Sequence, residues 1–278
     1  MLPDRYAVFG HPIGHSKSPL IHTLFVQQTG ENIAYTAQDV PPECFEVALR
    51  TFHAGGGKGL NCTVPLKELA FQAADELTSR ARQSEAVNTL VWRDDKLCGD
   101  NTDGIGLLRD LTENLAIDLS GRRLLVLGAG GAVRGILRPL LERKPACLVI
   151  ANRTVSRAQS LAARFAALGP VSAVGFPGLQ GLRFDLVLNA TAAGLQGELP
   201  PLPDDLLAPD GDCYDLMYAD KPTAFVRWGH DHGARLSVDG LGMLVEQAAE
   251  AFLVWRGVRP RTAPVIRRLR RATATGGE

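Results

Sequence analysis

Hydrophobic positions in the second half of the chain alternate between short apolar runs and longer stretches of helical period. That is the rhythm of parallel βαβ units. Residues 124–127, 148–151, 186–188, 213–216 and 236–238 predict strands, and 132–142 and 155–168 predict helices between the first of them. A last helix is predicted over 243–256, where Leu244, Ala248, Ala251, Phe252 and Trp255 recur close to every 3.6 residues. The first half reads differently. Ala7-Val8-Phe9 forms a short strand that runs into Gly10-His11-Pro12-Ile13-Gly14, which cannot be regular structure. A helix should follow, with Ser18 as N-cap and Pro19 at its first position. Residues 35–40 predict a strand, a helix should run from Pro42-Glu43 to Gly55-Gly56-Gly57, and 59–64 predict another extended run. Pro65 closes it and starts a helix at Leu66, and 87–92 pair with 96–99 across Arg93-Asp94-Asp95. The expected fold class is α/β in two domains. The boundary is placed between Asp103 and Gly121, and the last helix returns to the first domain.

Composition narrows the function. The chain has 278 residues, 45% of them hydrophobic, enough for one large domain or two ordinary ones. Thirty basic residues balance thirty acidic ones, so no global charge footprint for nucleic acid or an anionic membrane exists. Arg267, Arg268, Arg270 and Arg271 read as a solvated helix face rather than a binding patch. No apolar run reaches transmembrane length, and MLPDRYAVFG reads as the entry to a strand, not a signal peptide. Cys44, Cys62, Cys98, Cys147 and Cys213 are scattered, with no CxxC, as expected of reduced thiols in the cytoplasm rather than a disulfide or zinc framework.

Gly128-Ala129-Gly130-Gly131-Ala132 follows one predicted strand and opens a helix. Glycines there let the backbone turn sharply and approach a pyrophosphate held at the helix N-terminus. Val133 stands where the third glycine of the dinucleotide fingerprint is usual, and a purely structural βα turn is the competing reading. The next strand ends in Asn152-Arg153-Thr154, with no carboxylate to bind ribose hydroxyls. Arg157 lies one helical turn beyond Arg153, so both can face one anion, and the expected cofactor is NADP rather than NAD. Two solvated arginines are the bland alternative.

Polar residues gather in the first half. Ser16-Lys17-Ser18-Pro19 can hold a carboxylate, although Ser18 reads equally well as an ordinary N-cap. Asn61 and Thr63 share one face of an extended segment, and Lys67 sits at a helix start, the end that disfavours a cation. With 24 Arg and only six Lys in the chain, a lysine there suggests a proton that arginine would not release. Asn88-Thr89 and Asp100-Asn101-Thr102-Asp103-Gly104 add further groups, with an Asx-turn at Asp100 as the alternative for the second cluster. A carboxylate beside a lysine orients it, the acid–base pairing that carbonyl reduction requires. His11, His15 and His230-Asp231-His232 lack a third ligand at metal spacing, so no metal is expected.

Taken together, these blocks resemble the shikimate dehydrogenase family over nearly the whole chain. They are Gly10 to Pro19, Asn61 to Lys67, Ala86-Val87-Asn88-Thr89, Gly99 to Gly104, Gly128 to Ala132, Asn152-Arg153-Thr154, Asn189-Ala190-Thr191, Tyr214 to Tyr218, Asp239 to Leu244, and Gln247. The resemblance implies NADP(H)-dependent, reversible reduction of 3-dehydroshikimate to shikimate in the chorismate pathway of aromatic amino-acid biosynthesis. It implies a substrate domain over 1–103, with a C-terminal helix (241–278) packing back on it. A Rossmann-type, doubly wound NADP domain would span 104–240, with a cleft between the two. Ser16 and Ser18 match residues that hold the substrate carboxylate. Asn61, Thr63, Asn88, Tyr218 and Gln247 match contacts to its ring or hydroxyls, and Lys67 and Asp103 match the pair that transfers the proton and orients the substrate, Asp103 also binding a neighbouring hydroxyl. Gly128, Ala129, Gly130, Gly131 and Ala132 match the pyrophosphate loop; Asn152, Arg153, Thr154 and Arg157 the adenosine-phosphate clamp; Leu216 and Gly240 the nicotinamide end. Several members form homodimers.

Three positions depart from the family pattern: Cys62 for valine, Glu85 for glycine, and Ala192 for serine. Alternatives are a quinate/shikimate dehydrogenase using NAD as well as NADP, and a non-catalytic NADP-binding sensor.

Overall fold

The computed structural model describes residues 2–191 and 198–275, so Ala192 lies outside the described residues. Two compact units emerge: Met1–Gly106 with Val245–Arg268, and Leu107–Leu244 with Leu269–Glu278.

The first unit begins β1 (Asp4–Gly10), α1 (Ser18–Thr29), β2 (Ile33–Asp39), α2 (Phe45–Ala54) and β3 (Gly57–Cys62). It continues through α3 (Lys67–Ala73), β4 (Glu76–Leu77), α4 (Ser79–Ser84), β5 (Thr89–Arg93) and β6 (Lys96–Asp100) to α5 (Asp103–Arg109). Its sheet has the order β2-β1-β3-β5-β6-β4. β1 pairs in parallel with β2 and β3, whereas β5 runs antiparallel to β3 and β6. The β5–β6 hairpin closes through Asp94 and Asp95 at φ 48° and 61°, the left-handed pair that matches strand twist in a two-residue turn. One apolar layer joins Phe9, Leu60 and Leu66 to Phe45, Leu49 and Phe52 from α2. Tyr6, Phe25 and His22 instead meet Phe252 and Trp255 of the returning segment.

In the second unit come β7 (Arg123–Leu127), α6 (Gly131–Leu141), β8 (Cys147–Ala151), α7 (Val155–Phe165) and β9 (Val171–Val174). Then follow β10 (Phe184–Asn189), β11 (Leu207–Asp215), α8 (Ala224–Asp231) and β12 (Leu236–Val238). All six strands are parallel, in the order β12-β11-β10-β7-β8-β9. Numbered from β7, that is 3-2-1-4-5-6, the doubly wound dinucleotide-binding order, whose switch point lies between β7 and β10. Leu124 to Leu127 are wholly buried, which is why this strand reads as an unbroken apolar run rather than an alternation.

Several expectations need adjusting. Ser18 is not an N-cap: Lys17 holds that position without a side-chain cap, and Ser18 and Pro19 are the first two helical residues. The chain after residue 240 forms two helices, α9 (Leu241–Arg256) and α10 (Ala263–Thr275), and only Val245–Arg268 belongs with the first unit. β4, α4, α5, β9 and α8 had no counterpart in the predicted elements.

Candidate active site

The strand ends and helix starts of the first unit bring its polar residues together. Asn61 lies on β3, Lys67 opens α3, Asn88 precedes β5, Asp103 opens α5, and Gln247 rides on α9. Lys67 Nζ donates to Asp103 Oδ2 at 2.6 Å, and Asn88 Nδ2 donates to Asp103 Oδ1 at 2.8 Å. The Asp103 side chain is only 8% exposed and that of Lys67 21%, so the pair reaches solvent through the amine. The backbone N–H of Asp103 donates to Asn101 Oδ1, so Asn101, not Asp100, makes the turn that starts α5. Asp100 serves elsewhere. Burial would raise its carboxyl, but Arg80 Nη2 and Nε at 2.7 Å and the Thr78 hydroxyl hold it below the usual value.

Asn88 is saturated by protein. Its Oδ1 accepts from Thr102 N, Thr102 Oγ1 and Thr89 Oγ1, and its Nδ2 also reaches Gln247 Oε1 at 3.3 Å. It is therefore built to hold Asp103 and only secondarily to touch a ligand. Gln247 comes this close because Gly106 faces it: a Cβ there would collide with Gln247 backbone. Gly106 was not singled out in the sequence, although a glycine inside a helix start was its available signal.

Asn61 Nδ2 donates to Asn88 O at 3.0 Å and Thr89 Oγ1 at 3.1 Å, while Oδ1 accepts from Tyr35 Oη at 2.7 Å. Tyr35 is a second residue that sequence reasoning passed over, since an aromatic on β2 reads as ordinary strand packing. Thr63 follows β3 and donates its N–H to Phe9 O, and Gly10 leaves room for the Thr63 methyl where a Cβ would clash. Ser16 Oγ accepts from Ser18 N at 3.3 Å, so the two hydroxyl residues share one turn. His11 is exposed and bonds Asp39 at 2.6 Å, and His232 stacks on Trp228.

In the second unit, Gly128 leaves β7 at φ +107°, and a Cβ on it would strike the Ala190 backbone beyond β10. The glycine turn therefore sits at the switch point. α6 starts at Gly131 with Gly130 as an N-cap that lacks any side-chain cap, and a Cβ on Gly130 would meet nothing within 4 Å. Ala132 follows in the first turn. Uncapped N–H groups beside open space fit a pyrophosphate. Asn152 Nδ2 donates to Thr154 O at 2.8 Å, shaping the turn after β8. Arg153 and Arg157 are exposed, and no acidic residue occupies the first turn of α7, which fits a 2′-phosphate. Leu216 and Gly240 touch: a Cβ on Gly240 would collide with Leu216 O, and Gly240 N donates to Met217 O at 2.9 Å. Tyr218, partly buried, lies two residues past Leu216 in this unit, whereas the other expected substrate contacts are in the first. No cluster of His, Cys, Asp and Glu able to hold a metal ion occurs among the described residues.

Comparison with known proteins gives consistent matches. Residues 8–90 match the family model described as Shikimate dehydrogenase substrate binding domain, 110–195 match Shikimate / quinate 5-dehydrogenase, and 240–270 match Shikimate 5'-dehydrogenase C-terminal domain. A shikimate dehydrogenase (NADP(+)) of Methylococcus capsulatus is 63% identical over 96% of each chain. One of Alkalilimnicola ehrlichii is 62% identical over 97% of this chain and 99% of its own. Among solved structures, shikimate 5-dehydrogenase of Thermus thermophilus in complex with NADP(H) and shikimate superposes with a TM-score of 0.87 at 36% identity, covering 98% of this chain and 100% of that one.

Proposed function

Because the chain belongs to the shikimate dehydrogenase family, we propose that it interconverts 3-dehydroshikimate and shikimate with NADP(H), using Lys67 as the acid–base group and Asp103 as its anchor. The observation that carries this reading is the division of the Asp103 carboxylate, one oxygen on Lys67 and the other on Asn88. The chemistry NADPH supplies when bound is delivery of a hydride to the ketone carbon. Gly128, Ala129, Gly130, Gly131 and Ala132 would hold its pyrophosphate, Asn152, Arg153, Thr154 and Arg157 its adenosine phosphate, and Leu216 and Gly240 its nicotinamide end.

Lys67 spends one N–H on Asp103 and keeps two. One of those reaches the substrate oxygen and passes its proton as negative charge develops there. The amine left behind stays fixed by Asp103 and recovers a proton from solvent through its exposed end. In the oxidative direction the neutral amine takes the proton from the alcohol. Ser16 and Ser18 bind the carboxylate, and Asn61, Thr63, Gln247 and Tyr218 contact the ring and its hydroxyls.

The substrate part of this reading covers residues 1–103 with the returning helix, and the NADP part 104–240. The five free cysteines support a cytoplasmic setting, and no described helix is long and apolar enough to cross a membrane. A homodimer belongs to the same reading, and light scattering tests it. Initial rates with shikimate and quinate, each with NADP⁺ and NAD⁺, test the whole. A dominant shikimate–NADP⁺ rate is expected. Comparable quinate and NAD⁺ rates would replace it with the broader dehydrogenase, and NADPH binding without turnover would leave a sensor.

A further inference from the structure

Arg80, in the first turn of α4, has no place in the chemistry proposed above, yet its guanidinium joins two segments that carry it. Nε and Nη2 donate side by side to Asp100 Oδ1 and Oδ2, both at 2.7 Å. Nη1, on the other side of the fork, donates to Glu250 Oε1 at 3.1 Å. Asp100 ends β6, where its backbone oxygen accepts from Asn88 N at 3.0 Å and its Oδ1 from Asn101 N at 2.7 Å. Those two residues hold Asp103, Asn88 by the carboxylate and Asn101 by the backbone N–H. Glu250 lies on α9, one helical turn beyond Gln247.

The place of α9 is set from two sides. Towards α5 it rests on Gly106, where a Cβ would lie 2.6 Å from Gln247 Cβ, so this contact fixes how near Gln247 can come. Towards α4 it is tied by Glu250, whose second oxygen accepts from Arg259 at 2.7 Å, and Arg259 also holds Glu246 at 2.6 Å. Charge alternates along the row Asp100, Arg80, Glu250, Arg259, Glu246. The Asp100 and Glu250 side chains are 8% and 12% exposed, so water replaces neither contact well. Only a planar fork serves both carboxylates from one side chain. Gln247 needs the tie, because Oε1 meets Asn88 Nδ2 and Thr102 Oγ1 at 3.3 and 3.4 Å, distances that a small shift of α9 would open.

We propose that Arg80 is a positioning residue that sets Gln247 for the substrate by strapping α9 to the turn that carries Asp103. The inference rests on the substrate contact proposed above for Gln247. The strap acts on a contact to the bound substrate rather than on the reacting atoms, so its loss shows in substrate binding and not in the chemical step.

The test is a double-mutant cycle on the shikimate KM at saturating NADP⁺. Arg80→Lys keeps a cation on Asp100 but has one nitrogen where the fork has three, so Glu250 is released. KM is expected to rise by ~5-fold or more while kcat stays within ~2-fold. In a Gln247→Ala background, itself raised in KM, the same substitution should change KM by less than ~2-fold, since no contact is left to position. Glu250→Ala cuts the strap from the α9 side and should reproduce both results. Urea midpoints check that each variant is folded, and should Arg80→Lys fail that check, the Glu250→Ala cycle decides alone. A wild-type KM in these variants, or a rise by the same factor with and without Gln247, overturns the strap and leaves the substrate contact standing. Gln247→Ala with an unchanged KM would overturn that contact, and the strap with it.

Discussion

Asn88 and Asp103 are joined by a 2.8 Å hydrogen bond from Nδ2 to Oδ1, and this bond decides which oxygen is left for Lys67. Asn88→Ala strips Asp103 Oδ1 and Thr102 N of buried partners at a cost of ~1–3 kcal/mol for each group left unsatisfied. It also lets the carboxylate swing, so kcat should drop by ~10-fold or more. Urea midpoints and kcat measured together check both. A variant with normal kcat would make Asn88 purely structural.

Lys67→Ala should lower kcat by ~10²-fold or more, the usual scale of lost general acid catalysis, with a smaller change in shikimate KM. Lys67→Arg separates charge from proton. It keeps the cation beside Asp103 but holds a proton that guanidinium does not release, so kcat should fall as far as in the alanine variant. An arginine variant near wild-type rate would show that charge alone suffices.

The arginines after β8 predict a cofactor-specific effect. Arg153→Ala and Arg157→Ala should each raise the NADPH Kd by ~10-fold or more, the scale of a charge-assisted hydrogen bond, and barely change the NADH Kd. Fluorescence titration with both nucleotides gives the answer. Equal losses for both would remove the 2′-phosphate from these side chains.

His22 predicts an acid-side loss of stability. It is fully buried among Tyr35, Phe25, Phe252 and Trp255, and neither ring nitrogen has a hydrogen-bond partner among the described residues. Burial pushes its pKa down to about 3. Between there and its ordinary value near 6.5 the unfolded chain binds a proton that the folded chain refuses. Stability therefore falls as pH drops below about 6.5, by ~1.4 kcal/mol per pH unit from this residue, and is independent of it at higher pH. His22→Phe keeps the ring and removes the proton, so by the same linkage it should gain about 2 kcal/mol on wild type between pH 7.5 and pH 5. Parallel urea melts at the two pH values test this, and identical slopes for both proteins would refute it.

Much of the second unit was legible because its central strands are covered on both faces. Leu124 to Leu127 and their neighbours are continuous apolar runs, and glycines mark the turn at the switch point. β9 was not legible: three half-buried residues and the exposed Ser172 at a sheet edge carry neither an apolar run nor a clean alternation. In the first unit Lys67, Asn88 and Asp103 could be named from their unusual places at helix starts and turns, but their 2.6 and 2.8 Å contacts come from strand order, which spacing does not encode. Ser18 misled for a physical reason. A serine before a proline has the same local preference whether it caps a helix or, as in α1, serves as the first helical residue.

Glu85 shows the reverse case. Its departure from glycine raised a question of turn shape, and it ends α4 in the left-handed region at φ 49°. Glu85→Gly should relieve that backbone and raise stability by ~0.5–1 kcal/mol, after the glycine's own entropic cost. A calorimetric Tm at or below that of wild type would contradict this.

The return of Val245–Arg268 to the first unit sets an order of events during synthesis. Trp255 Nε1 must reach Leu90 O, and Arg256 must reach Asp4 and Glu31, before the sheet of the first unit has its second apolar face covered. A ribosome delivers that segment only after all of Leu107–Leu244, at some 5–20 residues per second. The half of the molecule translated first therefore waits on the nascent chain with Tyr6 and Phe25 uncovered for about ten seconds or more. The dinucleotide half, whose sheet strands are contiguous in the chain, can form in that interval.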